Sequence, residues 1–155
     1  MRCWLMKSEP SVVGIDDVLA MPGQAVDWYG VRNYQARNFM RDQMKVGDKV
    51  FFYHSNCTVP GIAGLAEVST PAYPDRTQFD PASHYFDPKA TPETPRWFNV
   101  DVRIVKKTRL ISLDELRSHP ELAHMRVLAK GNRLSITPVD PGEWKFIVER
   151  LIDAA

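Results

Sequence analysis

Short stretches of β-prone residues alternate with irregular segments along this chain, and no regular crossover helix separates one stretch from the next. Parallel strands need such crossovers, so the pattern argues against a doubly wound parallel sheet. It predicts an α+β fold in which short helices flank a small, mostly antiparallel β pseudo-barrel. With 155 residues, 44% of them hydrophobic, the chain can bury one core, and we expect a single domain over residues 1–155.

The strands are predicted from alternating apolar and polar residues and from the turn signals between them. The two central strands are expected to pair with each other across a short loop. Residues 7–10 are predicted to form a turn, since residues before a proline avoid helical backbone. The predicted strands cover residues 2–6, 49–54, 61–68, 97–105 and 133–139.

The helices are predicted from capping residues and from apolar residues three or four positions apart. Ala36, Met40 and Met44 share one side of a predicted helix and are expected to face the core. The predicted helices cover 15–19 and 33–44, the segment from Ser112 to before Pro120, and the segment after Asp140, where Pro141 takes the first position. The last helix is expected to pack on one side through Trp144, Ile147, Val148, Leu151 and Ile152.

The segment 71–95 contains six prolines, no glycine and several aromatic side chains. Aromatic residues are uncommon in disordered linkers, so we expect this segment to be ordered. A loop of this length in a small domain usually serves a function or packs as a lid.

The run 28–40 holds four aromatic side chains, two arginines and two asparagines. A purely structural helix has one apolar side and a polar back, whereas this run mixes rings with amide and guanidinium groups. Such a mixture is suited to a planar ligand that forms hydrogen bonds, for example a nucleobase. The run 51–57 has the same character after an apolar start.

These two runs predict a pocket for a flat polar ring. Stacking on an aromatic side chain contributes about 1–3 kcal/mol per base, and amide or hydroxyl groups can then read the edge of the base. Taken singly, each of these aromatic residues is better explained by core packing, and the combination favours a pocket. The expected rings are Trp28, Tyr34, Tyr53 and Trp97, and the expected readers are Asn33, His54, Ser55 and Ser135.

Charge is unevenly distributed, although the net charge is only +1. Residues 103–133 carry eight basic and three acidic side chains, so this segment is a candidate for holding phosphates beside the pocket. A solvated strand end is the alternative interpretation of the same cluster. The expected phosphate-binding residues are Arg103, Lys106, Lys107, Arg109 and Lys130.

Other classes of function find little support in the sequence. The four histidines and two cysteines lack zinc-ligand spacings, and we expect no metal and no cofactor. There is no nucleophile elbow, P-loop or dinucleotide motif, so catalysis is not expected. With no export signal and no membrane span, we expect a cytoplasmic protein with reduced cysteines and no membrane partner.

Five segments resemble the EVE domain family of the PUA-like superfamily: residues 3–10, 28–40, 46–56, 60–68 and 95–102. The resemblance extends over nearly the whole chain and implies a PUA-like pseudo-barrel with a base-binding cavity. It places Trp28, with Tyr29 to Tyr34 beside it, in this cavity, together with Tyr53, His54 and Ser55. Further matching positions, which we expect at the rim or near the last strand, are Lys7, Ser8, Glu9, Arg133 and Ser135.

The resemblance implies binding of a modified base, and a modified cytosine flipped out of DNA is the first hypothesis. An RNA-binding module is the second, and an enzyme acting on a small nucleoside-like molecule is the third. The expected partner is therefore nucleic acid, either DNA with a modified cytosine or RNA. A separate effector protein is also compatible with a bare domain of this size.

Overall fold

A mixed six-stranded sheet organises the computed structural model, which describes residues 1–152. A two-stranded ribbon of β5 and β6 accompanies it. The strands are β1 (Cys3–Ser8), β2 (Ala25–Asp27), β3 (Lys49–His54), β4 (Gly61–Val68), β5 (Tyr73–Pro74), β6 (Phe98–Asn99), β7 (Asp101–Ser112) and β8 (Ile136–Val139).

The main sheet has the order β2-β7-β4-β3-β1-β8, and its edge strands are β2 and β8. β1 and β3 are parallel, and every other neighbouring pair in this sheet is antiparallel. The sheet curls into a half-barrel, so the predicted α+β class and mostly antiparallel barrel are confirmed. The predicted pairing of the two central strands is confirmed as well, with His54 opposite Gly61 at the loop.

Short helices cover the ends and both faces of the sheet. They are α1 (Pro10–Val13), α2 (Ile15–Leu19), α3 (Tyr34–Asn38), α4 (Leu113–Arg117) and α5 (Pro141–Phe146). α3 continues as a π-helical turn over Phe39–Gln43, and α5 continues in the same way over Ile147–Ile152. Single 3-10 turns lie at Pro22–Gln24, Arg76–Phe79, Pro120–Leu122 and Arg126–Leu128. None of the helices within residues 1–152 has the length and apolar character needed to cross a membrane.

Two hydrophobic cores lie on opposite faces of the sheet, because neighbouring residues of a strand point to opposite sides. Trp4 and Phe52 belong to the first core, and Leu5 and Phe51 belong to the second. The first core also receives Ala36, Met40 and Met44, as predicted. The second is closed by the C-terminal helix, whose predicted one-sided packing is confirmed for Trp144, Ile147, Val148, Leu151 and Ile152.

Several boundaries differ from those predicted. β1 extends through Ser8, where a turn was predicted, because these residues pair with β3 as far as His54. The strand predicted over 97–105 is interrupted at Val100 and runs on as β7 to Ser112. The strand predicted over 133–139 starts at Ile136. β2 and α1 were not predicted, since neither is long enough for its periodicity to show.

Candidate functional site

A cleft of about 310 Å³ opens where β1 ends. β8 brings Ser135 to this place, because the Ser135 carbonyl accepts a hydrogen bond from the Lys7 backbone at 2.8 Å. The segment after β2 forms another side, and its start is fixed by a 2.9 Å bond from the Trp28 backbone N–H to the Val100 carbonyl. The cleft is lined by Lys7, Ser8, Glu9, Val12, Val13, Val26, Asp27, Trp28, Tyr29, Gly30, Val31, Arg32, Tyr85 and Ser135.

The walls of the cleft combine aromatic rings with valines. Trp28 is 8% exposed and packs edge-on against Phe52, with the ring centroids 5.5 Å apart. Tyr29 is 40% exposed and makes an edge-on contact with Tyr85 at 5.9 Å. Trp28 thus belongs to the core as well as to the cleft, whereas Tyr29 remains available to a ligand.

Gly30 allows Tyr85 to approach the cleft. The φ angle of Gly30 is +82°, in the left-handed region that favours glycine. A Cβ atom at this position would lie 2.8 Å from the ring of Tyr85. Any other residue here would therefore displace the tyrosine and strain the backbone.

A buried ion pair holds the segment that carries Tyr85. Asp75 is fully buried, and its carboxylate accepts hydrogen bonds from the Gly30 N–H at 2.8 Å and from the Thr77 N–H at 2.8 Å. Arg32 Nη1 lies 3.1 Å from the same carboxylate, and Nη2 donates to the Tyr85 carbonyl at 2.8 Å. Burial favours a higher pKa for Asp75, but the hydrogen bonds from Thr77, Gly30 and Arg32 outweigh it and keep the pKa below its usual value. These bonds fix one wall of the cleft.

Few polar groups of the cleft are free to meet a ligand. The Ser8 hydroxyl donates to the Val13 carbonyl at 2.6 Å, and the Arg32 guanidinium is held by Asp75 and the Tyr85 carbonyl. Within residues 1–152, the Lys7 ammonium has no hydrogen-bond or ion-pair partner. Lys7 is half-buried, and burial lowers the pKa of its ammonium. Among the residues that line the cleft, Lys7 is therefore a charged donor that the described residues leave without a partner.

A second cavity, of about 320 Å³, shares Asp27 with the cleft. Tyr73 and Asp101 line it, and the Tyr73 hydroxyl donates to Asp101 Oδ1 at 2.6 Å. Burial, followed by this hydrogen bond, raises the pKa of Tyr73 to about 12. Asp27 is thus half-buried between two cavities.

Six of the residues predicted for the pocket or its rim line the cleft: Trp28, Tyr29, Lys7, Ser8, Glu9 and Ser135. Asp27 and Tyr85 line it too and were not predicted as site residues, whereas Arg32 belongs to the segment that the resemblance placed beside Trp28. Tyr85 had a signal in the sequence, since it is one of the aromatics of the long proline-rich segment. Nothing in that segment alone indicates which of its rings turns towards the cleft.

Tyr53, His54 and Ser55 do not line the cleft. Tyr53 is 2% exposed in the second core, on the opposite face of the sheet from Phe52. His54 Nε2 accepts a hydrogen bond from the Ile15 N–H at 3.1 Å, and burial lowers the pKa of this imidazole. The Ser55 backbone donates to the Ser8 carbonyl at 2.9 Å, so Ser55 joins two strand ends.

Asn33, Tyr34 and Trp97 lie outside the cleft as well. Asn33 caps α3 by accepting a bond from the Ala36 N–H at 3.0 Å. Tyr34 stacks on Trp97 with centroids 4.9 Å apart and an interplanar angle of 21°. Trp97 Nε1 donates to Asp87 at 2.8 Å. These predicted readers and rings serve the local structure.

None of the five predicted phosphate-binding residues lines the cleft. Arg103, Lys107 and Arg109 form ion pairs with acidic neighbours: Arg103 with Glu67 at 2.5 Å, Lys107 with Asp16 at 2.7 Å, and Arg109 with Glu115 at 2.7 Å. Lys106 is exposed on β7 and Lys130 in the segment before β8, where the predicted rim residue Arg133 is exposed as well.

The family model that matches this chain is the EVE domain, over residues 2–150. Thymocyte nuclear protein 1 from Homo sapiens is 44% identical over 163 residues, which cover 94% of this chain and 72% of that protein. The protein of the same name from Gallus gallus is 43% identical. The matched region covers 94% of this chain and 66% of the Gallus gallus protein. The chain thus spans about two thirds of the length of that relative.

Solved structures agree with this match. Human thymocyte nuclear protein 1 (THYN1) in complex with 5-methylcytosine-containing DNA has a TM-score of 0.88 and 44% identity, with 96% of each chain covered. A protein from Pseudomonas putida has a TM-score of 0.89 and 48% identity, with 94% of this chain and 97% of that chain covered. A hypothetical protein from Leishmania major has a TM-score of 0.89 and 48% identity, with coverages of 96% and 92%.

Proposed function

Since the chain belongs to the EVE domain family, we propose that the cleft at the end of β1 binds a modified cytosine flipped out of DNA. The observation that carries this proposal is a cleft with aromatic and valine walls and an unpaired ammonium, in a chain whose human relative has been solved with 5-methylcytosine-containing DNA. A volume of about 310 Å³ lies at the lower end of ligand sites, which range over about 300–1,000 Å³, and suits a single nucleoside.

The exposed ring of Tyr29 supplies the stacking surface. Stacking on one aromatic side chain contributes about 1–3 kcal/mol per base. Extrusion of a base from a duplex costs a few kcal/mol. Stacking therefore offsets much of this cost, and contacts to the flanking backbone supply the remainder.

The valines account for a preference for a methylated base. Val12, Val13 and Val31 line the cleft and offer an apolar surface to a 5-methyl group. Burial of one methyl contributes about 0.8 kcal/mol, which corresponds to about a fourfold preference. A stronger preference requires polar contacts that distinguish the bases.

The flanking phosphates are assigned to exposed basic residues of the segment before β8. Arg133 lies two positions before Ser135, and both Arg133 and Lys130 are exposed. The ion pairs of Arg103, Lys107 and Arg109 must open before these side chains can meet a phosphate, so they contribute less. With a net charge of +1, binding without a modified base is weak and falls steeply with salt.

The test is fluorescence-anisotropy binding to duplexes that differ at one cytosine, which is unmodified, methylated or hydroxymethylated. Matched RNAs are measured at the same salt concentration, because the 2′-hydroxyl separates DNA from RNA readers. We expect the tightest binding to a modified DNA. Equal binding to all duplexes would refute the proposal, and a preference for RNA would favour the RNA-binding alternative.

Two exposed tyrosines provide a matched pair of variants. Tyr29→Ala removes a ring of the cleft, and we expect it to weaken binding to the modified duplex by about 1–3 kcal/mol. Tyr34→Ala removes a ring that is 48% exposed and stacked outside the cleft, and we expect no change in binding. Equal losses in both variants would place the base elsewhere.

Binding rather than catalysis suits the polar groups near the cleft. His54 Nε2 is occupied by the Ile15 N–H, and the Ser8 hydroxyl donates to a carbonyl, so neither forms a nucleophile–base pair. A nucleoside library incubated with the protein tests this assignment, and conversion of any member would contradict it. The cytoplasmic location stays a prediction from the sequence.

A further inference from the structure

Two valines of the cleft belong to a short segment that contacts the ends of two strands. Val12 and Val13 line the cleft at the end of α1, and α2 begins at Ile15, so a single residue separates the two helices. β1 and β3 are parallel neighbours and end with Ser8 opposite His54. The position of the valines therefore depends on what these strand ends hold.

Each strand end presents one polar side chain to this segment. Ser8 Oγ donates to the Val13 carbonyl at 2.6 Å, and His54 Nε2 accepts from the Ile15 N–H at 3.1 Å. Paired residues of neighbouring strands point to the same side of a sheet, so both side chains act on one face. The two bonds thus hold the chain on either side of Gly14.

The bond at Ile15 requires a neutral imidazole. The first N–H groups of a helix have no partner inside it, and His54 supplies the acceptor for this one at the start of α2. A neutral imidazole has one accepting nitrogen, whereas an imidazolium has two N–H donors and no acceptor. Protonation therefore replaces an attractive contact with two N–H groups that face each other.

We propose that His54 is a positioning residue for the cleft: its neutral imidazole holds Ile15, and with it the two valines, in the place that the flipped base requires. This inference rests on the proposed function. It predicts that DNA binding weakens when the imidazole gains a proton. His54 does not line the cleft, so the segment between α1 and α2 transmits the effect.

The surroundings of His54 set the pH range of this effect. Burial has the largest influence and lowers the pKa of the imidazole; Asp16 of α2 raises the pKa, Lys107 of β7 lowers it and Asp17 raises it. The strands add no charge, since Phe52 of β3 packs edge-on against the imidazole at 5.8 Å and β1 contributes a hydroxyl. The folded-state pKa lies below the unfolded value of about 6.5. The contribution of the bond is therefore present above this unfolded value and is lost as the pH falls through the folded-state pKa.

The alternative role for His54 is a direct contact to a phosphate. An imidazolium binds a phosphate more strongly than a neutral imidazole does, so that role predicts tighter binding as the pH falls. The positioning role predicts weaker binding over the same range. The two roles therefore give pH profiles of opposite sign.

The experiment measures the affinity for a duplex with one 5-methylcytosine between pH 8 and pH 5. For the wild type, we expect the affinity to fall by about twofold to tenfold, the effect of losing one hydrogen bond. His54→Gln offers an amide oxygen that can accept the same bond and does not titrate. We expect this variant to bind as the wild type does at pH 8 and to lose the pH dependence. His54→Leu has no acceptor, so its affinity should be low at every pH.

His84→Gln is the matched control. His84 is exposed and contacts the Tyr85 ring edge-on, with the centroids 5.4 Å apart, so it is a second histidine beside the cleft. We expect this variant to keep the pH profile of the wild type. A profile that disappears in His84→Gln, or that persists in His54→Gln, would overturn the inference. Wild-type binding that tightens towards pH 5 would overturn it as well and assign His54 to a phosphate.

Measurements without DNA test the inference independently of the proposed function. Circular dichroism defines the pH range in which the protein stays folded. Within this range, NMR spectra of the free protein follow the methyl groups of Val12 and Val13, which we expect to shift together with the His54 imidazole and to stay unchanged in His54→Gln. Methyl signals that do not follow the imidazole would refute the positioning role. Failure of the proposed function gives a different result, since the wild type would then bind methylated and unmodified cytosine equally at pH 8.

Discussion

Two groups of aromatic and arginine side chains are similar in composition, but one lines an open cleft and the other is closed by contacts within the protein. The cleft group contains Trp28, Tyr29, Tyr85 and Arg32, and the closed stack contains Tyr34, Trp97, Arg37 and Arg96. In the closed stack, the Arg37 guanidinium lies 4.7 Å from the Tyr34 ring centroid, and Arg96 donates to the Tyr34 hydroxyl. Protein groups therefore occupy the surfaces that a base would need.

The cleft group differs in the position of its arginine, which lines the cleft beside Tyr85. Arg32 bonds to Asp75 and to the Tyr85 carbonyl, and it lies 5.4 Å from the Tyr85 ring centroid. It braces the wall without covering the exposed ring of Tyr29. The difference shows that a mixture of rings and guanidinium groups indicates a pocket only where no guanidinium group lies over the exposed ring.

The largest expected effect tests whether Trp28 belongs to the core as well as to the cleft. Trp28→Ala removes a buried ring that packs on Phe52, and we expect the free energy of unfolding to fall by about 3–5 kcal/mol. Urea denaturation followed by circular dichroism measures this change. A loss below about 1 kcal/mol would mean that Trp28 acts only on the ligand side.

The second largest effect concerns the ion pair of Asp75 and Arg32, which supports the cleft group. Asp75→Asn replaces a buried carboxylate that accepts bonds from Gly30, Thr77 and Arg32, and we expect a loss of about 1.5–3 kcal/mol in stability. Binding of the modified duplex should weaken as well, because Tyr85 loses its anchor. Asp42→Asn is the control, since Asp42 is exposed and pairs with its neighbour Arg41. Equal losses of stability in both variants would contradict a special role of the ion pair between Asp75 and Arg32.

The lowered pKa of Asp75 predicts that the protein loses stability in acid. This loss should be no larger than the loss caused by Asp75→Asn. The pKa of Asp75 is lower in the folded protein, so its contribution is present above the unfolded-state pKa of about 3.9 and is lost as the pH falls through the folded-state pKa. Asp87 and Glu115 also have lowered pKa values and act in the same direction. The difference between wild type and Asp75→Asn across pH 2–6 therefore isolates Asp75. A difference that stays constant over this range would refute the prediction.

The sequence predicted the fold better than the site. Strand alternation and the capping signals located most elements, and these depend on neighbouring residues only. The short β2 and α1 carry too few residues for a periodic signal, yet β2 brings Asp27 and Trp28 to the cleft. The missing part of the site therefore lies in elements whose formation depends on tertiary contacts.

Strand geometry explains why Tyr53 does not line the cleft. Tyr53 follows Phe52 directly, so its ring points to the other face of the sheet and enters the second core. The alternation rule was available from the sequence, but the predicted pocket combined both sides of β3. In contrast, Tyr34 is enclosed together with Trp97 by partners up to 62 residues away from it along the chain. No local sequence pattern reveals such contacts.

The smallest expected effect tests the closed stack itself. Tyr34→Ala removes an aromatic pair and the contacts to Arg37 and Arg96, and we expect a loss of about 0.5–1.5 kcal/mol in the free energy of unfolding. A double-mutant cycle with Arg37→Met measures the coupling between ring and guanidinium. Base binding should stay unchanged, because protein groups fill the stack in the absence of ligand. If Tyr34→Ala weakens binding while stability is unchanged, the stack opens to receive a base, and the two groups are alike in function after all.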